Sequence, residues 1–332
     1  MDTASIDQAI DETGFEGVVV VRGAVSYERA AGLASRRWSV PNGLDTRFDT
    51  ASITKLFTAV AVLQQVEAGE LDLELPVHHY VDLEGTAIPV GVNLLQLLTH
   101  TSGIADDADE AAGESYDALY ARVPVSTLET PADYLPLFAH KQPIAEPGTT
   151  TEYSNAGYVL AGLALERATG GSFRDYIEAN VFARAGMTES GFFDRRDAVP
   201  RVAEGGDVID GRWVANTFRY PPIGSPSDGA YATAGDLLLF LDALRGGRLL
   251  KAEFTEEFLL PQVDADEDSA YGFGLEFDLD EDDEVHSYYA AGVNAGASGI
   301  LRSYPGAEID VVVLANSEDG AWPVVQAIDA LL

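Results

Sequence analysis

Apolar and polar positions follow different periods in different parts of the chain. Residues 3–15 have apolar positions at helical spacing after a capping candidate at Thr3, which predicts a short amphipathic helix. Residues 17–22 and 24–33 are predicted to form two strands. Residues 52–68 are apolar almost all round and end just before a glycine, which predicts a long buried helix.

The middle of the chain is dominated by helical spacing, whereas its last part favours strands. Helices are predicted over residues 94–98, 131–138, 156–169, 173–185 and 236–244, the last of them capped by Thr233. Strands are predicted over residues 271–279, 285–291, 298–304 and 309–315, and a closing helix begins at Trp322. Strands near both ends, with helices between them, indicate that the two terminal segments share one sheet.

The predicted fold class is therefore α/β (α+β). We expect an antiparallel sheet flanked by helices and built from both chain ends, with an inserted all-helical domain. Residues 1–67 and 223–332 are predicted to form the discontinuous sheet domain, and residues 68–222 the helical domain. The active site is expected at the interface of the two domains.

Acidic residues far outnumber basic ones. Among the 332 residues, 55 are Asp or Glu and 20 are Lys or Arg, which gives a formal net charge of -35. Nucleic acid and anionic membranes are therefore poor partners, because a polyanion would be repelled. This excess, together with a lysine content of only Lys55, Lys141 and Lys251, resembles proteins from salt-loaded cytoplasms, where molar salt screens the repulsion. We expect a halophilic protein whose folding and activity need high salt.

Several kinds of chemistry are excluded or not indicated by the composition. The chain has no cysteine, so disulfides, thiolate nucleophiles and cysteine metal sites are excluded. The acidic N-terminus has no signal-peptide pattern, and no apolar run approaches the roughly 18 residues that span a bilayer, so a cytoplasmic location is expected. No metal or cofactor motif occurs, so the predicted partner is a small molecule, with no cofactor and no metal.

The most informative motif lies at the start of the long apolar helix. Ser52 and Lys55 are three residues apart, so their side chains share one face of the helix. Burial of the helix disfavours the ammonium form of Lys55, which would allow its amine to accept the Ser52 proton. The alternative for this motif alone is structural: Ser52 caps the helix and Lys55 extends to solvent.

A second polar group precedes a later predicted helix. Tyr153 supplies a phenol able to relay a proton, and Asn155 supplies an amide able to contact both a substrate carbonyl and Lys55. Taken alone, this segment is better explained structurally, with Tyr153 as a half-buried packing residue and Asn155 as a helix cap. Ser102, beside His100, is a further candidate nucleophile, although Thr-Ser-Gly after a helix is typical of a turn.

Together these stretches resemble the serine β-lactamase and penicillin-binding-protein superfamily, in particular class C β-lactamases and the esterases and D-peptidases similar to them. The S-x-x-K motif corresponds to Ser52–Lys55 and the Y-x-N motif to Tyr153–Asn155, with further matches at residues 68–73, 97–104, 186–188, 234–237, 271–274 and 311–316. The resemblance implies an acyl-enzyme on Ser52, proton transfer by Lys55 and Tyr153, and a substrate contact by Asn155. It treats Ser102 as structural.

The third motif of that family, Lys-Thr-Gly or His-x-Gly, is altered here. Its glycine aligns with Gly292, so the cationic position falls on Ala290, which carries no charge. The oxyanion hole is affected less, because it uses backbone N–H groups, expected here from Ser52 and Val293. Recognition of a substrate carboxylate would need another cation, for which Arg302 is a candidate.

Three functional hypotheses follow. The first is a cofactor-independent serine hydrolase that cleaves a small ester or amide through a Ser52 acyl-enzyme, with an ester favoured because an uncharged ester needs no cation at position 290. The second is a β-lactamase or D-amino-acid peptidase. The third is a non-catalytic, penicillin-binding-like scaffold that binds a ligand or partner.

Overall fold

The computed structural model describes residues 3–109 and 113–332. Its α-helices are Ala4–Thr13 (α1), Thr54–Ala68 (α2), Leu94–Leu98 (α3), Tyr116–Tyr120 (α4), Pro131–Phe138 (α5), Asn155–Thr169 (α6), Phe173–Ile177 (α7), Ala183–Ala185 (α8), Ala234–Arg245 (α9), Ala252–Phe258 (α10) and Trp322–Asp329 (α11). A π-helical turn, Glu178–Phe182, joins α7 to α8.

The strands are Gly17–Gly23 (β1), Tyr27–Ala31 (β2), Leu33–Ser35 (β3), Val40–Pro41 (β4), Phe48–Asp49 (β5), Gly206–Ile209 (β6), Arg212–Ala215 (β7), Tyr231–Ala232 (β8), Val263–Asp266 (β9), Ser269–Tyr271 (β10), Glu276–Leu279 (β11), Val285–Asn294 (β12), Ala297–Tyr304 (β13) and Ile309–Ala315 (β14). Within the described residues, eight of them form one antiparallel sheet in the order β2-β1-β14-β13-β12-β11-β10-β9. The predicted sheet built from both chain ends is confirmed.

Both faces of this sheet are buried, which explains the nearly continuous apolar sequence of its central strands. Side chains alternate between the faces, so Val18 and Val20 of β1 enter one apolar cluster while Val19 and Val21 enter another. The first cluster joins the sheet to α2, α6 and α9, and the second joins it to α1 and α11. The sheet therefore supports α2, which follows Ser52, from one side.

The structure differs from the predicted elements in several places. The segment predicted as one strand over residues 271–279 is two strands, β10 and β11, separated by a turn in which Gly274 has φ +76°. A Cβ atom at Gly274 would lie 3.0 Å from the carbonyl oxygen of Lys55, so the turn packs closely on α2. Thr3 makes no side-chain cap, and the hairpin β6–β7 and the helices α4 and α10 were not predicted.

The N-terminal ends of the helices bear out part of the capping analysis. The Thr233 hydroxyl accepts the backbone N–H of Asp236 at 3.1 Å, as predicted for α9.

The division into a sheet domain and a helical domain at residues 67 and 222 stays a prediction. Across the two described stretches of chain, no helix combines the length and the apolar character that crossing a bilayer requires.

Candidate active site

Ser52 lies in a strained turn that connects β5 to α2. The preceding residue, Ala51, has φ +44°, a left-handed conformation that residues with a Cβ atom rarely adopt. The Asp49 carboxylate accepts the Ala51 N–H at 2.8 Å, and the Thr54 hydroxyl donates to the Ala51 carbonyl at 2.7 Å. Asp49 is held in turn by a buried ion pair with Arg195. The turn is therefore fixed from several sides, as expected where strain serves a function.

Lys55 is buried against Ser52, as predicted. Its side chain is almost inaccessible, and its Nζ atom lies 3.0 Å from Ser52 Oγ, 2.7 Å from Asn155 Oδ1 and 2.7 Å from the Ser227 carbonyl oxygen. Burial lowers the pKa of Lys55 to about 8, although nearby carboxylates, Asp228 first among them, favour the ammonium form. The alternative in which Lys55 extends to solvent is therefore wrong.

The three contacts of Lys55 determine where its lone pair points once the ammonium loses a proton. A neutral amine has two N–H donors and one acceptor site. Asn155 Oδ1 and the Ser227 carbonyl can only accept, so they take the two N–H groups. The lone pair is then left for the Ser52 hydroxyl, which is the partner able to donate. The arrangement can therefore take a proton from Ser52.

Tyr153 completes this group from the opposite side. Lys55 Nζ lies 4.8 Å from the centre of the Tyr153 ring, and Tyr153 and Ser52 both line the cleft. About 40% of the Tyr153 surface stays accessible, yet desolvation in the cleft raises its pKa well above the usual value of 10, and the neighbouring Ser52 hydroxyl opposes this shift only in part. Tyr153 is thus a proton donor at neutral pH rather than a phenolate base.

His100 supports Tyr153 and is not a partner of Ser102. The His100 ring stacks on Tyr153 with centroids 4.6 Å apart, and His100 Nδ1 accepts the Ser154 N–H at 3.1 Å. Burial, aided by the charge of Lys55, lowers the pKa of His100 to about 3, so the imidazole is neutral. Ser102 is buried and lies outside the described lining of the cleft at Ser52, in agreement with the structural role expected for it.

Asn155 is oriented by residues that the sequence analysis missed. Its Nδ2 donates to the Tyr116 hydroxyl at 2.6 Å, and Tyr116 donates to Asp107 Oδ1 at 2.7 Å. Asp106 accepts the backbone N–H groups of Asn155 at 3.2 Å and Ala156 at 2.7 Å, at the start of α6. Because Asp107 accepts the Tyr116 proton, Asn155 must present its oxygen to Lys55.

The other wall of the site is the free end of β12. The pairing of β11 with β12 begins at Glu276 opposite Tyr289, so the β12 residues beyond Ala290 have no β11 partner on that side. A Cβ atom at Gly292 would lie 2.8 Å from the Ser52 backbone nitrogen, so only glycine allows the strand to approach so closely. This brings Gly292 beside Ser52, as the alignment predicted. The oxyanion role of the Ser52 and Val293 N–H groups stays a prediction.

Ala290 lies with Ser52 and Lys55 in the lining of a small compartment at the base of the cleft. Its side chain is buried, and among the described residues that line this compartment Lys55 is the cationic one. Arg302 does not supply a cation there, because it pairs across the sheet with Tyr289 and its guanidinium stacks on that ring at 4.1 Å. It is also paired with Asp329 at 3.1 Å and lies outside the described cleft lining.

A cleft of about 380 Å³ opens beside Ser52 between α4, the start of α6 and the end of β12. Among the described residues, its charged lining consists of Asp117, Asp228, Glu276, Glu318 and Arg219. The volume suits a small ligand. The acidic side chains were not singled out by the sequence analysis, because none of them belongs to a motif.

Comparisons with known proteins agree with this geometry. The β-lactamase family profile matches residues 4–332. Esterase EstB of Burkholderia gladioli is 34% identical over 270 residues, covering 73% of this chain and 69% of that protein, and penicillin-binding protein 4 of Amycolatopsis lactamdurans is 28% identical over 312 residues, covering 87% and 77%. The crystal structure of a penicillin-binding protein from Bacillus halodurans superposes with a TM-score of 0.93 at 35% identity, covering 98% of this chain and 100% of that one.

Proposed function

Because the chain belongs to the β-lactamase family and is a serine hydrolase, we propose that it cleaves a small ester or amide through an acyl-enzyme on Ser52. The observation that carries the proposal is the set of three contacts around Lys55 Nζ, which leaves its lone pair to the Ser52 hydroxyl. A non-catalytic scaffold that only binds a ligand or partner would not need this arrangement.

The proposed reaction begins with attack of Ser52 Oγ on the substrate carbonyl carbon. The Ser52 proton passes to Lys55 Nζ, and the carbonyl oxygen becomes an oxyanion held by the backbone N–H groups of Ser52 and Val293. When the intermediate collapses, the bond to the leaving group breaks and that group takes a proton from Tyr153, which Lys55 reprotonates. A water molecule then attacks the acyl carbon by the same route and frees Ser52.

Within this reaction Asn155 has two roles. Its oxygen accepts from Lys55 at 2.7 Å, which holds the amine toward Ser52. Its position in the cleft lining also makes it a candidate contact for the substrate's acyl part. The structural alternative, in which Asn155 caps α6, is disfavoured because the cap of that helix is Ser154, whose hydroxyl accepts the Gly157 N–H at 3.1 Å.

An ester is the favoured substrate. Ala290 places no positive charge beside Ser52, so a carboxylate-bearing substrate lacks the usual partner there. An ester also needs less protonation of its leaving group than an amide does. The 34% identity to an esterase supports the same preference.

The second candidate, a β-lactamase or D-amino-acid peptidase, is supported by the similarity to penicillin-binding proteins and by one side chain in the cleft. Among the described residues that line the cleft, Arg219 is the arginine, so its guanidinium would have to bind the substrate carboxylate. It is already engaged by Asp117 at 3.1 Å, which weakens this candidate.

Intact-mass labelling with a fluorophosphonate tests the acyl-enzyme on Ser52. We expect one adduct on the native chain and none on Ser52→Ala. Ser102→Ala is the matched control, since Ser102 is a buried serine near the same site, and it should label normally. Labelling that survives in Ser52→Ala and disappears in Ser102→Ala would overturn the assignment. An absence of labelling and of ester turnover would favour the binding scaffold.

A further inference from the structure

Glu276 brings a carboxyl group to the edge of the reaction site. It is the first residue of β11 and lines both the main cleft and the small compartment that contains Ser52 and Ala290. It lies directly opposite Tyr289 on β12, so Ala291 is its diagonal neighbour on the same face of the sheet. The proposed reaction gives this carboxyl group no role.

Lys55 and Arg302 act on Glu276 only through their electric field, without a direct ion pair. In the parts of the chain that the structure describes, no ion pair involves Glu276, and the residue directly opposite it on β12, Tyr289, carries a neutral hydroxyl. Arg302 lies beyond the Tyr289 ring and is committed to Asp278 and Asp329. The charge of Lys55 lowers the pKa of Glu276, but the Lys55 amine directs its hydrogen bonds to Ser52, Asn155 and Ser227.

The rest of the cleft has the same sign of charge. Asp117, Asp228 and Glu318 line it with Glu276, and the guanidinium that faces them, Arg219, already pairs with Asp117 and with Asp207. An anionic substrate would therefore meet repulsion, whereas a cation would meet attraction that a partly desolvated cleft strengthens.

The general acidity of the chain does not explain why a partly buried carboxyl group lies at position 276. A carboxylate that serves solubility belongs in solvent, but Glu276 is partly buried and its pKa is raised to about 7, chiefly by burial. A bound cation would compensate the carboxylate for the water it has lost. The position next to Ala290 also matters, because the carboxyl group stands near the place where relatives with Lys-Thr-Gly or His-x-Gly would carry a cation.

We propose that Glu276 binds an ammonium group on the acyl part of the substrate, so that the site selects aminoacyl esters or amides and rejects carboxylate-bearing substrates. This inference rests on the proposed Ser52 acyl-enzyme. Glu276 is a specificity residue in this account, because it contacts the substrate without taking part in bond breaking.

Three methyl esters of the same shape test the proposal. They have the form CH3–CH(X)–CO–OCH3, where X is an ammonium group (alanine methyl ester, both enantiomers), a methyl group (methyl isobutyrate) or a carboxylate (the half ester of methylmalonic acid). At pH 7 the amine is largely protonated, since α-amino groups titrate at roughly 7.7 to 8.0. We expect kcat/KM of the native chain to follow the order ammonium, methyl, carboxylate for at least one alanine enantiomer.

Glu276→Gln removes the charge and keeps the shape. It should lower the ratio of kcat/KM for the ammonium ester to that for the methyl ester by roughly 10- to 100-fold, the range expected for a charge-assisted contact. A change in the basicity of Lys55 would alter kcat/KM for both esters alike and leave their ratio unchanged, because both esters react with the same Ser52. Glu284→Gln, at an exposed carboxylate on the turn between β11 and β12, is the matched control and should leave the ratio unchanged.

The possible outcomes distinguish a failure of the Glu276 proposal from a failure of the proposed Ser52 acyl-enzyme. If Ser52 is labelled and methyl isobutyrate is hydrolysed, but neither alanine ester is preferred, the inference about Glu276 is wrong and the proposed function stands. A ratio unchanged in a folded Glu276→Gln variant has the same meaning. If Glu276→Gln does not fold, the order of kcat/KM for the three esters on the native chain still decides whether the Glu276 proposal holds. If Ser52 is never labelled, both proposals fall.

Discussion

The two walls of the cleft differ in how their polar groups are used. On the helical wall, Lys55, Asn155 and Tyr116 form a connected series of hydrogen bonds that ends at Asp107. On the strand wall, Ala290, Ala291 and Gly292 offer no polar side chain, and Glu276 forms no ion pair with another described residue. The helical wall is thus suited to moving a proton and the strand wall to choosing a substrate. Mutations on the two walls should therefore change different kinetic quantities.

Substitutions of the proton-transfer residues should have the largest effect. Lys55→Ala removes the proposed base and Tyr153→Phe removes the proposed proton donor, and each should slow acylation of Ser52 by roughly 100-fold or more. The decrease should be similar for charged and neutral esters, because every substrate needs the same proton transfer. Stopped-flow acylation rates check this. A decrease confined to one class of substrate would mean that these residues select substrates instead.

Ala290→Lys should alter selectivity on the opposite wall. A cation at this position should raise kcat/KM for a carboxylate-bearing cephalosporin relative to a neutral p-nitrophenyl ester by roughly 10- to 100-fold. Ala290→Met is the control, because it adds similar bulk without charge. The gain should be larger in Ala290→Lys combined with Glu276→Gln, since Glu276 would otherwise pair with the new lysine. Efficient cephalosporin turnover by the native chain would instead favour the β-lactamase hypothesis.

Tyr116→Phe should have a smaller effect, because Tyr116 acts through Asn155. Without the Tyr116 hydroxyl the Asn155 amide can rotate, so Lys55 loses an acceptor for its ammonium form and its pKa falls. We expect a loss of roughly 5- to 10-fold in kcat/KM and a shift of the pH profile toward lower pH. Tyr134→Phe is the control, since the Tyr134 hydroxyl has no hydrogen-bond partner within the described residues. A loss of activity without a shift would indicate a merely structural role.

The helical wall could be predicted largely from sequence, because its key pairs are local. Ser52 and Lys55 are one helical turn apart, and Tyr153 and Asn155 lie together just before a helix, so a spacing rule brings each pair to one place. The third motif could be aligned by counting back from Pro305 and the strand predicted after it, which puts Gly292 on the motif glycine. The structure gives the physical reason for that glycine, since the close approach to Ser52 forbids a Cβ atom.

What the sequence did not predict depends on contacts between distant segments. Tyr116 and Asp107 belong to no motif and meet Asn155 only after α4 folds over the start of α6. The sequence pattern predicts Glu276 in the middle of one long strand, because alternation alone does not reveal that Gly274 turns the chain against α2. From sequence alone Arg302 is a candidate for binding a carboxylate, because the sequence does not show that its guanidinium already contacts Tyr289 and Asp329.

The most direct test of the central claim is the pH dependence of Ser52 acylation by a neutral ester. The pKa of Lys55 is lowered to about 8, and the neutral amine is the active base, so the rate should rise with pH through about 8 and then level off. Tyr153→Phe should be slower but keep the same rise, because the pKa of Tyr153 lies far above this range. An acylation rate that is flat between pH 6 and pH 10, or a rise that disappears in Tyr153→Phe, would contradict the assignment of Lys55 as the base.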